Sequence, residues 1–273
     1  MASGSDNLIL AFDEVTVRFD DLTVLDRVSF ALRRGESLVL LGEAGSGKTV
    51  LMKTALGLIR ADSGKIHLFG KDVTTAEEQE WYELRSRIGV LFQEGGLFDS
   101  LTIEDNVSYP LLNQKSIHCP EEELDQRVEQ TLDFVELGHT LGKYPSELSG
   151  GMRRRAGIAR AVVTEPELML YDSPTAGLDP ITANTIMALI LKGRDVRRAT
   201  TVIVTHRFQD GEILTRYRYD KEAGGLVEAS ANGGGPLTHY IVLKEGRIVF
   251  DGSQDQLEAD PDPYVASFVR RPA

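Results

Sequence analysis

Gly42-Glu43-Ala44-Gly45-Ser46-Gly47-Lys48-Thr49 fits the pattern G-x-x-x-x-G-K-[ST] and follows an apolar, strand-like run, Ser37-Leu38-Val39-Leu40-Leu41. Glycines let such a loop wrap closely, so that successive backbone N–H groups point inward at an anion. The helix expected to begin near Gly47 adds the positive end of its dipole. Lys48 would reach the β- and γ-phosphates as a point charge, the Thr49 hydroxyl would bind Mg²⁺, and Val50 would continue the helix beside them. The competing explanation, an accidental glycine-rich turn, does not account for the strand–loop–helix context. The stretch predicts binding of a nucleoside triphosphate.

Two further segments narrow the chemistry. Leu168-Met169-Leu170-Tyr171-Asp172 reads as a buried strand ending in a carboxylate, bounded by Glu165-Pro166 and Pro174. Alone it would be an ordinary core strand; paired with the phosphate loop it places Asp172 near the metal. Upstream, Leu148-Ser149-Gly150-Gly151-Met152 opens a helical run from Arg153 to Val163. Ser149 can cap that helix, and Gly150 and Gly151 permit close backbone approach to a second anion.

This last motif resembles the signature of the ABC-type ATPases, and the resemblance runs through nearly the whole chain. It implies an α/β fold: a P-loop NTPase (RecA-like) core, an N-terminal antiparallel β subdomain and an inserted α-helical subdomain. The core is expected over about 6–98 and 150–273, and the helical subdomain over about 99–149. The resemblance also implies a homodimer in which Ser149, Gly150 and Gly151 close over ATP held by the partner. It assigns Phe19 to adenine stacking, although a core phenylalanine is the competing reading. Gln93 would touch Mg²⁺ together with Thr49 and Asp172, and sense a membrane partner. Asp179, in Ala176-Gly177-Leu178-Asp179, would feel the state of the other subunit. His206, ending Thr201-Val202-Ile203-Val204-Thr205, would bond the γ-phosphate.

One position departs from the family pattern. The glutamate that polarises the attacking water is replaced by Ser173, in Tyr171-Asp172-Ser173-Pro174-Thr175. A serine hydroxyl is a very poor proton acceptor near neutral pH. Three readings stay open: weak turnover, an ATP-driven clamp, or substitution by another carboxylate.

Phe92-Gln93-Glu94-Gly95-Gly96-Leu97-Phe98 and the run from Glu147 to Arg155 are similar to the ATPases of Mla-type, MCE-associated phospholipid transport systems. That likeness implies an integral membrane permease, an MCE-type lipid-binding protein and a place on the cytoplasmic face of the inner membrane. Gly95-Gly96 and Leu97-Phe98 would offer the permease a flexible, apolar surface. An importer for another substrate is the alternative. A non-transport ABC module is disfavoured, because no coiled coil, zinc insertion or second ATPase is evident.

The elements that must position these residues fit the same picture. The length of 273 residues and 41% hydrophobic content allow one large α/β domain. Residues 8–41 read as short strands separated by turns. Residues 121–137 read as an amphipathic helix with an acidic outer side. A glycine-rich stretch over about 216–237 reads as an inserted hairpin or flexible loop. The net charge of −12 disfavours nucleic acid. Arg153-Arg154-Arg155, the densest basic run, is expected on a helix surface as salt-bridge partners. The single cysteine, Cys119, fits a reducing compartment and, with His118, gives too few ligands for a closed metal site. Neither a membrane span nor a signal peptide at Met1–Asp6 is expected.

Overall fold

The computed structural model describes residues 7–93, 95–229 and 237–270. In chain order they form β1 (Leu8–Phe19), β2 (Leu22–Arg33), β3 (Ser37–Leu41), α1 (Lys48–Ala55), β4 (Ser63–Leu68), β5 (Lys71–Asp72), α2 (Glu78–Arg85) and β6 (Ile88–Leu91). There follow α3 (Ile103–Asn113), α4 (Glu121–Phe134), α5 (Gly150–Val162), β7 (Leu168–Asp172), α6 (Pro180–Arg197), β8 (Thr200–Thr205) and α7 (Phe208–Arg216). Last come β9 (Tyr217–Asp220), β10 (Gly225–Glu228), β11 (Thr238–Lys244), β12 (Arg247–Gly252), α8 (Gln254–Glu258) and α9 (Pro263–Val269). The protein is an α/β molecule of two compact units.

The first unit holds residues 1–81, 200–218 and 227–273. Its antiparallel sheet has the order β2-β1-β4-β5, with Phe12 stacked on Phe30 at 5.0 Å. Where short strands are expected over residues 8–41, β1 and β2 each run to 12 residues. Glu14 adopts φ 52° at a register shift between Phe12 and Val15, so the polar pair Asp13-Glu14 forms a bulge within β1. In the second layer β11, β3 and β8 lie parallel, with β12 antiparallel on the outer side of β11. All residues of β3 and β8 are buried, which explains why every residue of the two strands but Ser37 is apolar or β-branched.

The second unit holds residues 82–199 and 219–226. Here β6 and β7 pair in parallel, and β7 is wholly buried. Thr102 and Asp105 build a reciprocal cap on α3, and Asp179 caps α6 through the Ile181 and Thr182 N–H groups. Three glutamates, Glu121, Glu122 and Glu123, sit in the first turn of α4, where the helix dipole favours them. The segment read as a hairpin or loop contains the β9–β10 hairpin, while Asn232–Gly235 lie outside the described residues, as do Met1–Asp6 and Glu94. The Tyr219 N–H donates to Asp195, whose carboxylate is also gripped by the guanidinium of buried Arg194.

Candidate functional site

In the first unit, Leu41 of β3 is in register with Thr205 of β8. The parallel strands therefore end side by side, which brings the phosphate loop and His206 to the same carboxyl edge, where open α/β sheets bind ligands. Gly45 and Gly47 adopt φ 79° and 105°, conformations that favour glycine. A Cβ on Gly47 would lie 2.8 Å from the Val24 carbonyl, so this residue also permits a close approach of chains. α1 starts with no side-chain cap and no acidic residue in its first turn. No carboxylate therefore competes in the first turn for the positive end of the helix dipole, which suits a phosphate.

The Lys48 ammonium donates to the Gly42 and Glu43 carbonyls, both at 2.7 Å. It thus rests on the rim of the loop that it would share with a phosphate. On the neighbouring strand, the Thr205 hydroxyl donates to buried Asp210 at 2.8 Å and accepts from the Arg207 N–H. These bonds fix the chain on both sides of His206, whose own side chain is exposed. Phe19 ends β1 and is 46% exposed, which agrees with a surface ring better than with a core one.

In the second unit, Leu91 of β6 is in register with Tyr171 of β7. Gln93 and Asp172 accordingly leave adjacent strands at the same end. Asp172 is buried, and the Ser173 hydroxyl donates to it at 3.1 Å. Ser173 itself adopts φ 49°. The turn is held by Arg154, which donates to the Ser173 and Ala176 carbonyls, each at 3.3 Å.

The placement of Arg154 corrects the expectation for the arginine run. Arg155 does pair with Glu136, but Arg154 is buried and binds main-chain carbonyls. α5 turns these consecutive residues in different directions, so Arg154 is buried while Arg155 meets the exposed carboxylate of Glu136. Nothing in the composition of the run distinguishes them.

The start of α5 is capped by Ser149, which accepts from the Met152 N–H at 3.3 Å. A Cβ on Gly150 would meet nothing within 4 Å, whereas one on Gly151 would lie 2.5 Å from Cγ2 of Thr182. The Thr182 hydroxyl in turn donates to Asp179 at 2.6 Å. The signature helix and the Asp179 cap are thereby packed together.

Gly95 and Phe98, in the segment expected to be flexible and apolar, are held by specific contacts. Buried Asn106 accepts from the Phe98 N–H at 2.7 Å and donates to the Phe98 carbonyl at 3.0 Å. The Arg160 guanidinium covers the Phe98 ring at 5.4 Å. A Cβ on Gly157 would lie 2.6 Å from the Gly95 carbonyl, so the glycines serve close packing on α5. Phe92, Phe98, Tyr109 and Leu112 remain between 38% and 65% exposed, leaving an apolar face in this unit.

Comparison with known proteins places this arrangement. The family model described as ABC transporter matches residues 25–176. The chain is 29% identical to the intermembrane phospholipid transport system ATP-binding protein MlaF of Haemophilus influenzae, over 96% of this chain and 90% of that protein. It is 40% identical to the probable ribonucleotide transport ATP-binding protein mkl of Mycobacterium leprae, over 70% of this chain and 55% of that protein. Among solved structures, it resembles the dimeric ATP-binding cassette MJ0796 in a post-hydrolysis state bound to ADP and Pi. That match has a TM-score of 0.74 and 25% identity, and covers 90% of this chain and 98% of that one.

Proposed function

The chain belongs to the ABC transporter family as an ATP-binding subunit, and we propose that the transporter it powers moves phospholipid between membranes. The observation that carries this reading is the end-to-end likeness to a phospholipid transport ATPase, combined with an apolar face beside Gln93 suited to a permease helix. Among the described residues no helix is long and apolar enough to cross a membrane, so the proposal assigns membrane attachment to a separate permease. An MCE-type protein completes the proposed complex, with this subunit dimerised on the cytoplasmic face. The ribonucleotide-transport relative supports a second reading, an importer for another cargo.

Within that function, Lys48 exchanges its carbonyl partners for the β- and γ-phosphates of ATP. The uncapped N-terminus of α1 and the loop N–H groups take the remaining phosphate charge. Thr49, Gln93 and Asp172 are the residues proposed to hold Mg²⁺, which supplies charge neutralisation for phosphoryl transfer. His206 would hold the γ-phosphate, Phe19 would stack on the base, and Ser149, Gly150, Gly151 and Asp179 would serve the partner's nucleotide. Ser173 keeps the position of the water-polarising residue, but its proton is directed at Asp172.

The test is reconstitution of the subunit with its copurifying permease into vesicles carrying a fluorescent phospholipid. ATP-dependent movement of the lipid is the expected result. Movement of a ribonucleotide, with no movement of lipid, would overturn the phospholipid assignment in favour of the second reading.

A further inference from the structure

The terminal helix α9 reaches the phosphate loop through a single hydroxyl. Tyr264 accepts a hydrogen bond from the Glu43 N–H at 3.2 Å and donates to the Leu243 carbonyl at 3.1 Å. Glu43 is thus held at both of its peptide groups. Tyr264 takes its N–H, and its carbonyl receives the Lys48 ammonium at 2.7 Å and the Ser46 N–H at 3.2 Å. Residues 43 and 264 are separated by 221 positions in the chain, so only the fold brings them together.

Several contacts fix the phenol independently of this pair. Lys244 lies over the ring at 4.8 Å, and Phe268 meets it edge-on at 5.3 Å. Asp262 caps α9, and Val265 is fully buried. Desolvation raises the Tyr264 hydroxyl above the usual phenol range, so it stays protonated and keeps its donor for Leu243. The other end of the loop is tied by the same C-terminal segment, since the Gly246 N–H donates to the Ser46 carbonyl at 3.0 Å.

We propose that Tyr264 is a positioning residue for the phosphate loop: its hydroxyl fixes the Glu43 peptide, and through it the Lys48 ammonium, so that α9 sets the affinity for nucleotide. The inference rests on the ATP-binding reading above. Without the hydroxyl the Glu43 N–H loses its protein partner and the peptide can rotate. The carbonyl on which Lys48 rests then changes direction, and the loop must be ordered again when a triphosphate arrives. A preorganised loop avoids that loss, while the chemistry after binding is unaffected.

Tyr264→Phe keeps the ring and its contacts with Lys244 and Phe268 but removes the bonds to Glu43 and Leu243. On the purified chain, titration with a fluorescent ATP analogue should give a Kd raised by about three- to tenfold, the range of a typical lost hydrogen bond. In the ATPase assay KM should rise by a similar factor while kcat is unchanged. A purely structural role would lower the thermal midpoint of the nucleotide-free protein and leave the Kd of the folded chain as it was. That result, or equal Kd in the parent and the variant, would overturn the inference alone. A parent chain that binds no ATP analogue would instead overturn the functional reading beneath it.

Discussion

Ser173 combines an uncommon backbone with an unusual side chain. A non-glycine residue at φ 49° costs on the order of 1 kcal/mol or more. Hydrogen bonds from a charged donor contribute about 1.5–3 kcal/mol each, so the grip of Arg154 on the Ser173 and Ala176 carbonyls offsets that strain. The backbone is therefore held in place whatever side chain stands at 173, and a substitution there tests chemistry more than folding. A serine cannot serve as a general base near neutral pH, and losing such a base costs about 10²–10⁴-fold in rate. Ser173→Glu should accordingly speed phosphate release by about 10²-fold or more, measured on the permease complex at saturating ATP. A brisk parent enzyme that gains nothing from the glutamate would assign the attacking water to another residue.

At the scale of elements, α5 shows how adjacent and identical residues acquire different duties. Gly150 faces open space, while Gly151 backs onto Thr182 at the start of α6. Gly151→Ala should lower stability by about 1–3 kcal/mol, because its methyl group overlaps Thr182 and disturbs the Asp179 cap. Gly150→Asp should leave the thermal midpoint unchanged, yet abolish ATP-dependent dimerisation by presenting a carboxylate to a partner's phosphate. Dimerisation that persists in Gly150→Asp, followed by light scattering with ATP present, would remove this helix end from the proposed composite site. The Ser149 cap was legible because a cap is written in neighbouring residues. The Gly151–Thr182 contact was not, since it depends on how α5 and α6 meet.

Across the whole molecule, legibility followed the range of the forces involved. The runs Ser37–Leu41 and Leu168–Asp172 were read with the bounds the structure gives them, because strands buried on both faces are uniformly apolar and bounded by turns. The full length of β1 was not legible, because the polar pair Asp13-Glu14 at its bulge interrupts the apolar pattern. Arg154 and Tyr264 carry no local signal at all; their roles arise from packing between distant segments. Trp81, the sole tryptophan, has a bearing of its own on measurement. It is 5% exposed, and a Cβ on Gly57, just past the end of α1, would lie 2.2 Å from its indole. The chain therefore carries a built-in optical reporter in the unit that holds the phosphate loop. Heating should redden the emission as that unit melts, whereas far-ultraviolet circular dichroism records both units. ATP at about 100 times its Kd should stabilise the emission-detected transition by about 2.7 kcal/mol. A midpoint indifferent to ATP would mean that the indole's unit does not bind it. No label is needed to find out.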